Sequence, residues 1–111
     1  MESALSEMKK AAREKNFRSY FKNHSEFHEV FVRASMNDTL IGILENLRRQ
    51  AMWFRFSHFY FHEYYEDAIS VHREILDLFI KRDADRVETV VKEHILVSLD
   101  RFLQFLASKR A

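Results

Sequence analysis

The chain has 111 residues, of which 18 are basic and 17 acidic, and it contains no cysteine and no proline. This composition excludes disulfides, thiolate metal sites and cysteine nucleophiles, and it lacks the basic excess that is typical of nucleic-acid binding. With Gly42 as the only glycine, the chain also lacks the turn residues of a β-rich fold and the loop of a nucleotide-binding protein. We therefore predict an all-α protein.

Apolar residues recur at helical spacing and predict five amphipathic helices. They cover about residues 3–15, 17–35, 40–53, 65–81 and 84–108. Asn16, either Asn37 or Asp38, and Asp83 are placed to cap helix starts. The aromatic stretch 56–64 either continues the third helix or forms a loop. Short connections predict an antiparallel bundle of about five to six helices, which forms a single domain over residues 1–111.

The first residues are too highly charged for a signal peptide, and no apolar run approaches the roughly 20 residues that span a bilayer. We therefore expect a soluble, cytoplasmic protein that has no membrane partner.

Four of the six histidines fall where the helical pattern places the core. His24 and His28 lie four residues apart on one helix face, and His72 and His94 each lie among aliphatic residues of their own helices. Burying an imidazole without a partner is unfavourable, and one transition-metal ion would satisfy all four rings at once. The spacing leaves two interpretations open, a shared metal site and four separately satisfied core histidines.

His58 and His62 are also four residues apart, but the pattern does not define their helix face. Packing or pocket lining is the simpler interpretation of this pair. The Glu-x-x-His motif of ferritin-type bundles and the HExxH motif of zinc proteases are both absent from the sequence.

Several short blocks carry a recognisable pattern. They are His24-Ser25-Glu26-Phe27-His28 with Ala34-Ser35-Met36-Asn37, Val71-His72-Arg73-Glu74-Ile75-Leu76, Lys81-Arg82-Asp83-Ala84 and Glu93-His94-Ile95. In order and spacing these blocks resemble the FCD domain, the C-terminal effector-binding domain of GntR-family transcription regulators of the FadR branch. The agreement covers nearly the whole chain.

The resemblance implies a metal ion held by one Asp and three His beside a cavity for a small organic acid. Carried over by position, the three histidines are His28, His72 and His94, and His24 stands where the family has Asp. These four residues are the predicted metal ligands. An all-imidazole set carries no ligand charge and favours one divalent transition metal such as Zn or Ni over hard, oxygen-preferring ions.

Two further positions follow from the resemblance. Arg55 lies where the family often has a pocket arginine, so we predict that it binds the effector. The other interpretation is a surface arginine or an ion-pair partner of Glu63 or Glu66. Met36 stands where a glycine is common, so the helix junction there is expected to differ. The family's DNA-reading winged helix-turn-helix is not among these residues. The resemblance implies a homodimeric domain that reaches DNA only through that module. We expect a domain truncated on its N-terminal side, and the alternative is a shortened stand-alone relative.

We expect an effector-sensing and dimerisation domain, and not an enzyme. One alternative is a hemerythrin-like di-iron bundle that uses His58, His62 and Glu66, but it needs further carboxylates on the His24 and His94 helices, and none is well placed there. The other alternative is a metal-free interaction module, in which the aromatic stretch 53–65 buries a partner helix.

Overall fold

Helices dominate the computed structural model, which describes the backbone of residues 1–51 and 54–110 and the side chains of residues 1–47 and 58–108. Its elements are α1 (Glu2–Arg13), α2 (Phe17–Ala34), α3 (Asp38–Ala51), α4 (Phe54–Ile80) and α5 (Ala84–Arg110). Within these ranges there is no strand, and the predicted all-α fold is confirmed. No helix in the described part of the chain combines the length and apolar character that crossing a membrane requires.

The aromatic stretch 56–64 is the place where the predicted elements differ from the structure. It is helical and belongs to the first part of α4, so the loop alternative is wrong and the fourth helix begins earlier than predicted. Aromatic residues occupy most positions here, which hides the helical period in the sequence. In the helix, Phe61 is buried and Tyr60 and Tyr64 pack one turn apart, with ring centroids at 5.3 Å. Residues 52 and 53, at the end of the predicted third helix, lie outside the described residues.

Helix ends and starts share one arrangement at three junctions. A residue with a left-handed backbone is followed at once by an Asn or Asp cap. The pairs are Lys15-Asn16, Met36-Asn37 and Arg82-Asp83, and the first members have φ of 55°, 55° and 57°. In each pair the cap side chain accepts a hydrogen bond from a backbone N–H three residues further on. The predicted caps Asn16 and Asp83 are confirmed, and Asn37, not Asp38, caps α3.

The backbone of Met36 explains why a glycine would suit its position. Its φ of 55° lies in the left-handed region, which costs a residue with a side chain roughly 1–2 kcal/mol and costs glycine little. The Met36 side chain is 88% exposed, so no packing offsets this cost. The junction keeps the left-handed conformation even though methionine replaces the expected glycine.

The chain divides into two compact units, and the first is Met1–Tyr65. In this unit α1 packs along α2. Its buried side chains are Ala4, Leu5, Met8, Ala11, Ala12, Tyr20, Phe27 and Phe61. The α1 members recur at intervals of three and four residues, so they share one face, as the sequence predicts. The Arg33 guanidinium links α2 to α3, because it pairs with Glu29 at 2.7 Å and with Glu45 at 2.9 Å.

The second unit, Glu66–Ala111, contains the rest of α4 together with α5. Its buried side chains are Ala68, His72, Ile75, Leu76, Leu78, Val90 and Phe105. The ion pair of Arg101 with Asp67, at 3.2 Å, connects the two helices. The division into units does not test the prediction of a single domain over residues 1–111, which stays a prediction.

One face of α5 is exposed although its residues are apolar. The members are Ile95, Leu96, Leu99 and Leu103, each at least half exposed. The sequence pattern includes these residues in one long apolar stripe with Val90 and Phe105. α5 is in fact apolar on two faces. Val90 and Phe105 lie on the buried face, and the four exposed residues lie on the opposite side of the helix.

Candidate metal-binding histidines

His24 and His28 form a pair one turn apart on α2, in the first unit. Their ring centroids are 4.6 Å apart, and both side chains are half-buried. Aromatic rings flank the pair on either side: Tyr20 stacks on His24 at 6.2 Å, and Phe31 lies 5.4 Å from His28. Burial raises the pKa of the Tyr20 phenol above its ordinary value, with a smaller effect from Tyr60.

His72 is the most deeply buried histidine. It lies on α4 in the second unit, with a relative exposure of 0%. Its Nδ1 is 2.6 Å from the carbonyl oxygen of Ala68, one turn earlier on the same helix. A carbonyl oxygen only accepts, so Nδ1 carries the proton and donates it. The lone pair of the imidazole then lies on Nε2, and this is the tautomer that a ligating histidine adopts when a backbone carbonyl orients it.

His94, on α5, is the neighbour of His72 within the second unit. The two ring centroids are 5.1 Å apart, and the rings meet edge to face. Burial lowers the pKa of His72 to about 4; the Ala68 carbonyl opposes this shift and His94 adds to it. Burial also lowers the pKa of His94, and the positive charge of Arg101 lowers it further. Both rings are therefore neutral at pH 7, which is the form that binds metals.

His58 and His62 form a third pair, on the part of α4 that belongs to the first unit. Both side chains are exposed, their ring centroids are 4.3 Å apart, and the two Nε2 atoms are 3.2 Å apart. The ring of Phe17, on α2, lies 5.2 Å from the ring of His58. Glu66, the third member of the hemerythrin-like alternative, is also exposed.

The four histidines that the sequence places in the core, His24, His28, His72 and His94, are called the interior histidines. Their chemistry fits a transition-metal ion. Each pair offers two imidazoles close together, and His72 has a defined tautomer. Hydrogen bonding alone does not require an ion, because among the described residues no buried polar side-chain atom lacks a hydrogen-bond partner. The predicted effector residue Arg55 lies in the backbone range of α4, but its side chain lies outside the described residues.

Two residues of this region were missed by the sequence analysis. The Ala68 carbonyl orients His72, and the Arg101 charge lowers the pKa of His94. Arg101 follows His94 by seven residues, a spacing that places both on one helix face, so the sequence contains a signal for it. No comparable signal exists for Ala68, because any helical histidine has a carbonyl four residues before it.

Together these features define an all-α chain in which each of the two units contains neighbouring imidazole donors. The sequence matches the FCD domain family over residues 1–96, and the chain belongs to this family. The FCD domain is the effector-binding domain of GntR-family regulators, and some members bind metals. Comparisons with curated proteins and with solved structures gave no match.

Proposed function

We propose that the chain is the effector-sensing and dimerisation domain of a GntR-type transcription regulator of the FadR branch. In this proposal His24, His28, His72 and His94 jointly bind one divalent transition-metal ion. The state of His72 is the observation that carries it. A buried imidazole with a lowered pKa, whose Nδ1 donates to a backbone carbonyl, has the protonation and tautomer of a metal ligand, at a position where the family pattern has one.

The nature of the ligands bears on the choice of metal. Four neutral imidazoles favour Zn or Ni over Mg or Mn, because nitrogen donors suit the borderline-soft transition metals. They also leave the full charge of the ion uncompensated. When bound, the ion supplies Lewis acidity that attracts an anionic guest. We therefore propose a small carboxylate as the effector, with Arg55 as the cation that neutralises it.

Regulation requires that the effector favour one conformation of the domain over another. In a homodimeric regulator, such a change would alter how the winged helix-turn-helix modules are held on DNA. The exposed apolar face of α5 supports the dimerisation part of the proposal, since large exposed apolar patches mark interaction sites. Sedimentation analysis tests that part: Leu99→Asp and Leu103→Asp should shift a dimer towards monomer. Gln104→Asp places the same charge on another exposed face of α5 and should not.

Elemental analysis tests the metal site. Protein purified without a metal-affinity tag should carry one metal ion per chain, and His28→Ala and His72→Gln should lose it. His62→Ala is the matched control, because it removes a histidine from another pair and should retain the ion. Circular dichroism establishes that each variant is folded. Wild-type protein that stays metal-free after addition of Zn²⁺ and Ni²⁺ contradicts the proposal.

A thermal-shift screen tests the effector. Small mono-, di- and tricarboxylates should raise the Tm of the metal-loaded protein, and they should have little effect after chelation. Arg55→Ala should weaken the response, whereas Arg18→Ala, which removes an exposed arginine from α2, should leave it intact. An equal response in loaded and chelated protein would show that the carboxylate binds away from the metal.

A further inference from the structure

The exposed pair His58 and His62 has a geometry of its own. The two Nε2 atoms, one turn apart on α4, are 3.2 Å from each other. In a tetrahedral site with metal–nitrogen distances of about 2.0–2.1 Å, two histidine nitrogens lie about 3.3 Å apart. The separation in α4 therefore matches the distance between two ligands of one ion.

The contact with Phe17 supports the orientation of this pair. The Phe17 ring is 5.2 Å from His58 and 5.6 Å from Phe61, which is buried in the same unit. The His58 ring is thus in contact with a ring that belongs to a packed aromatic cluster. A ring that is already oriented loses less side-chain entropy when it binds an ion, so binding costs less than it would at two freely rotating histidines.

We propose that His58 and His62 form a second transition-metal site, separate from the four interior histidines and located entirely within the first unit. Two imidazoles select borderline-soft divalent ions, in the order Cu²⁺ above Ni²⁺ and Zn²⁺, and disfavour Ca²⁺ and Mg²⁺, which require oxygen ligands. Water occupies the other coordination positions. Since both rings are exposed, the ion exchanges with solvent and is removed by mild chelation.

A direct hydrogen bond between the two rings is the competing explanation. It requires one Nε2 to carry a proton and the other to accept it, and 3.2 Å also suits that bond. Metal binding requires a lone pair on both Nε2 atoms, so in the metal-bound form both rings carry their proton on Nδ1 and this hydrogen bond is broken. Metal titration separates the two explanations.

The experiment is a calorimetric Ni²⁺ titration of the metal-stripped full chain at pH 8. Wild-type protein should bind one equivalent of Ni²⁺ tightly, which we assign to the interior histidines, and a second equivalent more weakly. His62→Ala should lose only the weaker equivalent, and His28→Ala only the tighter one. The double variant His62→Ala/Glu63→His keeps six histidines but breaks the four-residue spacing, and it should also lose the weaker equivalent.

The outcomes distinguish this proposal from the proposed function. If the interior site does not exist, wild-type protein binds a single weak equivalent that His62→Ala abolishes, and the second-site proposal stands. If His62→Ala and the respaced variant bind as much Ni²⁺ as wild type, the second-site proposal is wrong. Broadening of the His58 and His62 ring signals by substoichiometric Ni²⁺, after Zn²⁺ has filled the tighter site, gives an independent readout.

Discussion

Two histidine pairs of the first unit have the same spacing and different surroundings. The rings of His24 and His28 are 4.6 Å apart on α2, and those of His58 and His62 are 4.3 Å apart on α4. The α2 pair is half-buried, whereas the α4 pair is exposed to solvent. The four-residue spacing brings the rings together in both cases, because residues one turn apart are neighbours on a helix.

The difference between the pairs is in their environment. Burial weakens competition from water and protons and strengthens every electrostatic interaction, so we expect the same two donors to differ in the ion they bind and in how long it stays bound. The four-residue spacing therefore identifies possible ligands, and we expect burial to decide whether a bound ion stays in place or exchanges with solvent.

The largest expected effect is a change of metal. His24→Asp introduces the carboxylate that the resemblance implies at this position, and we expect the purified protein to shift its metal content from Zn or Ni towards Mn, because a charged oxygen ligand favours harder ions. Elemental analysis of cells grown with equal supplies of these metals measures the shift. His58→Asp makes the same substitution in the exposed pair and should leave the co-purified metal unchanged. A similar shift in both variants would remove the distinction between the pairs.

The next effect concerns the phenylalanine beside each pair. Phe27 is fully buried and contacts His28, whereas Phe17 is half-buried and contacts His58. Phe27→Ala should lower the free energy of unfolding by about 3–5 kcal/mol. Phe17→Ala should lower it by about 1–2 kcal/mol, since folding of the chain removes less of the apolar area of Phe17 from water than of Phe27. Urea denaturation followed by circular dichroism measures both.

The two phenylalanine variants should also affect the pairs selectively. Phe27→Ala should weaken metal binding at His28 and spare the Ni²⁺ equivalent assigned to His58, and Phe17→Ala should do the reverse. Equal losses of stability would mean that the two surroundings differ less than their exposures indicate.

Much of the fold follows from the sequence, because a chain with one glycine and no proline has few ways to form turns. Cap residues set the starts of α2, α3 and α5, and the predicted bounds of α2 and α5 agree closely with the structure, as does the predicted start of α3. The predicted start of α4 was wrong because aromatic residues occupy most positions of residues 56–64 and hide the helical period. The exposed face of α5 was missed for a related reason: periodicity finds apolar faces but does not say which of two is buried.

The histidines could be predicted only in part. Helical spacing places His24 beside His28, and the family pattern singles out His72 and His94. Tautomer and charge state could not be predicted, since they depend on the Ala68 carbonyl and on burial, which are products of the fold. The exposure of His58 could not be predicted either, since the aromatic residues around it suggest an interior.

A third effect is a pH dependence that originates at His72. In the metal-free protein its pKa is about 4, below the 6.5 of an unperturbed histidine, so between these values the unfolded chain takes up a proton that the folded chain does not. Stability is full above pH 6.5 and falls by about 3 kcal/mol as the pH drops to about 4. The lowered pKa of His94 acts in the same direction.

The urea concentration at the midpoint of unfolding, measured from pH 7 to pH 4 in the presence of a metal chelator, reports this loss of stability. His72→Gln should flatten the profile, because the amide does not titrate, and His62→Gln, in the exposed pair, is the control variant. Identical slopes for the two variants would place the origin of the pH dependence outside His72.

The smallest effect is at the start of α2. The Asn16 side chain accepts a hydrogen bond from the Ser19 N–H at 3.2 Å, and Asn16→Ala should cost about 1 kcal/mol of stability. Phe17 follows in the first turn, which frays without the cap, while His24 and His28 lie further along the helix. The variant should therefore weaken the Ni²⁺ equivalent at His58 and leave the interior metal in place. Asn16→Asp, which keeps the cap, should behave like wild type. If Asn16→Ala releases the interior metal instead, α2 responds as one unit and the two pairs are not independent.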